Sequence, residues 1–313
     1  MKKVILIVIP AVILAVVIAV IATLGAFGYF AYSSLDYTVS APALAEDGSL
    51  VVMSANIRRK EKWWSTNKMD TGNCRWYKRA EYFLKNIEAV KPDIFGSQEV
   101  QPGQYEFLTK HLDGYKSVVT YRDDRGWRSE SCPIFYSEAR FELVESGTYW
   151  LSETPDVMSV DWGSGENRIV TYVNLKDKAN NDMIIAVYNL HPDWGHPEAR
   201  IKQLGVAAEK AKASTADKVI VLGDFNSDRN RTDGAAGLAL FEEFLQDSTT
   251  FPGMTNYGVT YNGYDKDDED GMMGLDYIFL PADTDVKAVG KVDTVYNGIY
   301  PSDHFPIWAK VKF

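Results

Sequence analysis

Val219-Ile-Val-Leu222 runs straight into Gly223-Asp-Phe-Asn226, and four other stretches of the chain end in the same way, on a carboxylate, an amide or a histidine. Short apolar runs of this kind read as buried strands. Gly223 is expected to let the chain turn at the strand's end. Asp224 and Asn226 are two apart, so strand geometry carried through Phe225 would place both side chains on one face. A strand from Leu50 ends at Asn56, one from Asp93 leads to Glu99, and one from Met183 delivers His191. Asp276 lies in a further strand, and Ser302-Asp303-His304 precedes the last one. Asn56, Glu99, His191, Asp224, Asn226, Asp276, Asp303 and His304 therefore come from six separate places. They meet only if several strand ends converge on one rim.

Helical spacing of Phe83, Ile87 and Val90 predicts a helix over residues 78–90 that Pro92 ends. Residues 101–112, 197–213 and 235–245 read as further helices. Residues 115–121, 133–136, 141–151, 168–175, 275–280 and 305–311 read as strands. No composition shift divides residues 50–313, which are assigned to one domain. Before it, residues 32–49 read as a polar linker.

Residues 4–30 are almost uncharged and apolar. As a helix this stretch would be about 40 Å long, enough to cross a bilayer. It exceeds the core of a secretory signal, about 7–15 residues, and Ala43-Leu-Ala45, which resembles a cleavage site, lies well past it. Residues 1–31 are therefore read as one uncleaved transmembrane helix. Lys2 and Lys3 stay cytoplasmic, so the domain is expected outside the cell membrane on a single-pass anchor.

The net charge is −10, which argues against a general polyanion binder. Arg58-Arg59-Lys60 and the basic residues of 75–79 form a local zone that attracts phosphate or balances charge. Cys74 and Cys132 give neither a zinc cluster nor a disulfide framework, and one bridge or two thiols both fit. His111 and His196 lack a motif and are assigned to the surface. Residues 265–270 read as a solvated acidic loop. Trp63, Trp64 and Trp76 suit either a substrate or membrane surface or ordinary packing.

The collected donors form a hard, oxygen-rich set that favours Mg²⁺ or Mn²⁺ over zinc. Glu99 with Asn56 makes a plausible ligand pair. Each histidine wants an orienting carboxylate; Asp276 suits His304, and Glu130 suits His191.

Six motifs, Ser54-Ala-Asn56-Ile-Arg58, Ser97-Gln-Glu99, Asn189-Leu-His191-Pro-Asp193, Gly223-Asp-Phe-Asn226, Leu275-Asp-Tyr277 and Ser302-Asp-His304, stand in the order of a known superfamily. The chain resembles the endonuclease/exonuclease/phosphatase (DNase I-like) superfamily, and its uncharacterised bacterial branch in particular. It departs from that branch at Pro192 and Asp193-Trp194, where an apolar residue and then Asp-His are usual.

The resemblance implies an α/β four-layer sandwich of two packed mixed sheets flanked by helices. It implies phosphoester hydrolysis by in-line attack of water, with Asn56, Glu99 and Asp303 as metal ligands. His191, Asp224, Asn226, Asp276 and His304 are the implied catalytic residues, with Glu130 and Asp193 behind them. A small, lipid or nucleic-acid phosphoester is the expected substrate, and no protein partner is implied. The alternatives are an extracytoplasmic nuclease or a surface binding protein that kept the fold.

Overall fold

The structure is a computed structural model that describes residues 13–20, 35–61, 65–265 and 273–313. Its strands are β1 (Val39–Ser40), β2 (Leu50–Asn56), β3 (Ile94–Gln98), β4 (Leu112–Asp113), β5 (Tyr115–Val118), β6 (Ile134–Ser137) and β7 (Phe141–Trp150). They continue with β8 (Ile169–Asp177), β9 (Met183–His191), β10 (Lys218–Asp224), β11 (Gln246–Asp247), β12 (Asp276–Leu280), β13 (Asp285–Lys291) and β14 (Ile307–Lys312). The domain's helices are α1 (Trp76–Val90), α2 (Pro102–His111), α3 (Pro197–Lys212) and α4 (Thr232–Glu242).

Two six-stranded sheets carry the fold, in the orders β13-β14-β2-β3-β6-β5 and β11-β12-β10-β9-β8-β7. Each contains one parallel pair, β2 with β3 and β9 with β10, among antiparallel neighbours. The central strands are apolar on both faces because both faces are covered. In β2, Val52 joins the core between the sheets, and Met53 joins the core under α1 and α2. In β10, Ile220 and Leu222 face the first sheet while Val221 packs under α3 and α4. Three apolar cores thus separate four layers: helices, sheet, sheet, helices.

The chain does not turn at Gly223, which stays inside β10. Its lack of a side chain serves a close approach, since a Cβ there would sit 2.2 Å from the Leu190 carbonyl oxygen of β9. Strand geometry stops at Asp224; Asn226 is left-handed, with φ +49°. β13, an edge strand with a bulge, was not expected from the sequence.

The stretch expected as a free linker is docked where it is described. Val39 and Ser40 pair in parallel with Leu112 and Asp113, Val39 is buried, and the Tyr37 carbonyl meets His111 Nδ1 at 2.7 Å. His111 is accordingly buried, not on the surface, because it holds this segment; His196 is exposed. Trp76 is buried among aromatic rings. Both cysteines are free thiols. Residues 13–20 are helical, and among the described residues no helix is long and apolar enough to cross a membrane. The rest of the expected anchor, Trp63, Trp64 and residues 266–270 lie outside the described residues.

Candidate active site

Strand register brings the polar residues together. Asn56 pairs with Gln98, one residue before Glu99, and Asp224 pairs with Asp276 across β10 and β12. His191 ends β9, and His304 stands just before β14, whose Ile307 pairs with Ser54. All lie at one rim of the sandwich. Below it a buried polar clasp joins the sheets. The Asn189 amide donates to the carbonyls of Ser97 and Pro133, and its oxygen accepts from Gln98 Nε2 at 2.7 Å.

Asn56 links the two acidic halves of the rim. Its Nδ2 donates to Glu99 Oε1 at 3.2 Å and to Asp224 Oδ2 at 2.9 Å, while its oxygen accepts from the Arg58 amide. The nitrogen, not the ligand-type oxygen expected from the sequence, therefore faces the carboxylates. Arg58, Glu99 and Asn226 all adopt left-handed backbone at φ +56°, +61° and +49°. Non-glycine residues tolerate this only when their surroundings hold them there. The Glu99 carboxylate accepts the Arg59 amide at 3.0 Å. Burial pushes its pKa up, but Arg58, His191 and that amide together hold it well below the usual range.

Across the rim, His304 Nδ1 meets Asp276 Oδ2 at 2.8 Å, and its Nε2 lies 3.5 Å from Asp224 Oδ2. Burial opposes the imidazolium, yet Asp276 and Asp224 raise its pKa to about 10. Asp224 is pushed up to about 7 by burial; His304 opposes the shift and Asp276 adds to it. Asp224, Asp276 and His304 offer ligand atoms within 4.8 Å of one another. With Glu99 and Asp303, also buried, the rim gathers four carboxylates, and Arg58 lies 3.6 Å from Asp303 and 3.8 Å from Glu99. That donor set suits a hard cation.

The chain matches the Endonuclease/Exonuclease/phosphatase family over residues 53–304. It belongs to that family. Among solved structures, the mannosyl-6-phosphatase of Bacteroides thetaiotaomicron VPI-5482 is 28% identical with a TM-score of 0.72, covering 85% of this chain and 100% of that one. The endonuclease/exonuclease/phosphatase of Bacteroides vulgatus is 27% identical with a TM-score of 0.75, covering 85% and 99%. Uncharacterized protein L388 of Acanthamoeba polyphaga mimivirus is 30% identical over 162 residues, 49% of this chain and 60% of that one. The chain spans about half the length of the curated relatives it matches.

Three expected roles in this endonuclease/exonuclease/phosphatase chain change with the geometry. Glu130 does not orient His191; it pairs with Arg122 Nη1 at 2.8 Å. Asn226 does not share a strand face with Asp224. Its amide N–H donates to Asp224 Oδ1 at 2.9 Å, and its side chain donates to the Pro192 carbonyl. Asp193 anchors its loop, accepting from Ser164 Oγ and from the Gly195 and His196 amides.

Arg79, counted in the basic zone, is fully buried and spent on carbonyls of Ile57, Arg58, Arg59, Cys74 and Pro301. It props the backbone on both sides of the rim. Tyr261 packs edge-on against the His304 ring at 5.1 Å, and its chain neighbour Thr260 accepts the Phe305 amide. Arg168 lies against His191. Of these, the sequence offers a hint only for Tyr261, within Thr260-Tyr-Asn-Gly263.

Proposed function

We propose that this chain is a divalent-metal-dependent hydrolase of small phosphoesters, displayed outside the cell membrane by its N-terminal segment. The observation that carries the reading is the Asp276–His304–Asp224 array facing Glu99 across the Asn56 amide. Asp224 Oδ2 is placed to take a proton from an attacking water, and its raised pKa suits a base working near neutrality. His304 keeps its charge through Asp276 and offers Nε2–H to the phosphoryl oxygens. His191 is pushed well below its ordinary pKa by burial and by Arg168, so it meets substrate as the neutral ring. Glu99, with Asp303 nearby, would hold Mg²⁺ or Mn²⁺, which supplies charge neutralisation at the phosphoryl group when bound.

Support for a small, soluble substrate comes from charge and from facing. A net −10 protein is poorly suited to a long polyanion. The docked segment at β1 joins the body beside Leu112, at the end of the sheets away from the rim. An anchor leaving from there would turn the site away from the bilayer. Relatives that include a mannosyl-6-phosphatase agree with a small phosphoester.

The test is hydrolysis of p-nitrophenyl phosphate and bis-(p-nitrophenyl) phosphate by the purified chain, with and without chelator. Turnover that chelator abolishes and Mg²⁺ or Mn²⁺ restores is expected. Turnover indifferent to chelator, or none on any phosphoester, sinks the reading.

A further inference from the structure

Arg58 follows β2 by two residues and holds a left-handed backbone at φ +56°. Three bonds fix it there. Its N–H donates to Asn56 Oδ1 at 2.8 Å, and its carbonyl accepts from Arg79 Nη2 and Gln104 Nε2, each at 2.9 Å. A non-glycine residue kept in that region by its surroundings points to a use for the place where its side chain is sent. The guanidinium lies among three carboxylates. Nε is 3.6 Å from Asp303 Oδ2, Nη1 is 3.8 Å from Glu99 Oε2, and Nη2 is 3.7 Å from Asp70 Oδ1. None of these three contacts is short enough for a hydrogen bond. Arg140, by contrast, meets the Asp177 oxygens at 2.9 and 2.8 Å. Arg58 is attracted from three sides and clamped by none of the three.

Glu99 and Asp303 are the carboxylates that suit the metal. A hard cation sits about 2.0–2.6 Å from the oxygens that ligate it. A guanidinium 3.6 and 3.8 Å from the same two carboxylates shares them with that cation. Two positive charges drawn to one pair of carboxylates repel each other, so each weakens the hold of the other. Asp70 gives Arg58 a third partner that the metal does not need. It belongs to a short 3₁₀ turn (Lys68–Asp70), and its other oxygen is held by Ser65 Oγ at 2.7 Å.

We propose that Arg58 and a divalent cation compete for Glu99 and Asp303, with Asp70 as the partner that keeps Arg58 when the cation binds. Arg58 is then a positioning residue. It holds the two carboxylates together and sets how tightly the metal is taken. The inference rests on the metal reading of the rim given above, and its test is binding, apart from turnover.

The experiment uses the full chain in detergent, stripped of metal by chelator and then freed of the chelator. Mn²⁺ is titrated by calorimetry, with free Mn²⁺ followed by electron paramagnetic resonance and melting measured in parallel. Arg58→Met should bind Mn²⁺ about tenfold more tightly than wild type, within the usual size of coupling between two sites. Arg58→Lys, which keeps the charge, should stay close to wild type. Asp70→Asn should weaken Mn²⁺ binding, because it leaves Arg58 to Glu99 and Asp303 alone. In the Arg58→Met background the same change should have a much smaller effect. Without metal, Arg58→Met should melt lower than wild type, since Glu99 and Asp303 lose their counter-charge. Saturating Mn²⁺ should raise its melting temperature by more than it raises that of wild type.

Equal or weaker Mn²⁺ binding by Arg58→Met overturns the proposal. So does a Lys variant that binds as tightly as the Met variant, or an Asp70→Asn effect of equal size with and without Arg58. If neither wild type nor Arg58→Met binds Mn²⁺, the metal reading fails and takes this inference with it. Binding by wild type that Arg58→Met leaves unchanged defeats the inference alone. Binding that follows the expected signs in a protein that hydrolyses no phosphoester supports the inference and defeats the hydrolase reading.

Discussion

Away from the rim, Arg140 is fully buried and every arm of its guanidinium is used. Nε and Nη2 hold both Asp177 oxygens, and Nη1 and Nη2 also reach the carbonyls of Ser49 and Gly48. At the rim, Arg168 is almost as buried, yet it hydrogen-bonds only to the His191 ring, with Glu130, Glu166 and Asp193 acting on it beyond ion-pair distance. The same contrast holds for the acids. Asp177 is neutralised by a fixed arginine, whereas Asp224 shares one histidine with Asp276 and is pushed up to about 7 by burial. One end closes its own charges and ties the chain together; the other leaves charges open. Open charge is costly to a fold and useful to a site.

The largest expected effect breaks the open end. Asp224→Asn keeps the shape and the bond from the Asn226 amide but removes the base. It should lower kcat by about 10²–10⁴-fold with little change in KM, on p-nitrophenyl phosphate with metal present. The melting temperature should hold or rise, since a buried carboxylate has been removed. Near-normal kcat in the folded variant would assign the proton to another group.

The closed end should respond in the opposite sense. Arg140→Met leaves Asp177 buried without its partner and frees the Ser49 and Gly48 carbonyls. Breaking a buried pair in this way costs about 3–5 kcal/mol. Urea unfolding should show that loss, while kcat per folded molecule stays within about twofold, since no catalytic group moves. A large fall in kcat at unchanged stability would erase the distinction between the two ends.

The sequence exposed the open end better than the closed one. Strand-ending polar residues such as Asn56, Glu99 and Asp224 interrupt apolar runs, and the interruption is visible without coordinates. The central strands were legible because both of their faces are covered, so each reads as a short unbroken apolar run; the four layers came from the family resemblance. Arg79 was not legible, since its partners are backbone carbonyls, which every residue carries, and neither was Arg140, whose partner Asp177 lies 37 positions away outside any motif. Arg168 was not legible because it stands outside the six motifs and meets His191 only through the pairing of Ile169 with His191. The left-handed turn at Asn226 escaped because Asp224 bonds its amide and ends the strand one residue early. Glu130 was misassigned because Arg122, eight positions earlier and with no motif, claims it first.

A smaller effect sharpens the comparison through pH. His304 is raised from 6.5 to about 10, so its stabilisation is complete below pH 6.5 and is lost as pH rises through about 10. Asp224 is raised from 3.8 to about 7, so ionising it in the fold loses stability between those values. Both push the same way, while His191, held below its ordinary value, pushes the other way up to about pH 6.5. Above pH 6.5 that opposition is gone, and the metal-free protein should melt progressively lower as pH rises to about 10. Mg²⁺ should reduce the Asp224 contribution, which ends near pH 7, because a cation favours ionised Asp224. In Asp224→Asn the loss that wild type suffers up to about pH 7 should be absent, so the variant gains on wild type as pH rises to that value. A melting temperature that climbs steadily from neutrality to about pH 10 would mean that the rim charges are compensated like those around Arg140.

The smallest effect concerns how the closed end fixes the direction in which the site faces. Val39 is buried against the core under α1 and α2, and it pairs with Leu112 beside His111. Val39→Ala removes two buried methyl groups, worth about 1–2 kcal/mol. Removal of residues 1–34 leaves this contact intact and should leave the urea midpoint of the remaining chain unchanged, whereas Val39→Ala in that shortened chain should lower it. Neither change should alter kcat, because the segment lies at the far end of the sheets from Asp224. If Val39→Ala costs nothing, the segment is not held against the body in solution. An anchored domain could then swing its rim toward a bilayer, and a lipid phosphoester would return as a substrate. If the cost appears, the tether is part of the fold, and the open charges of the rim face the surrounding solution.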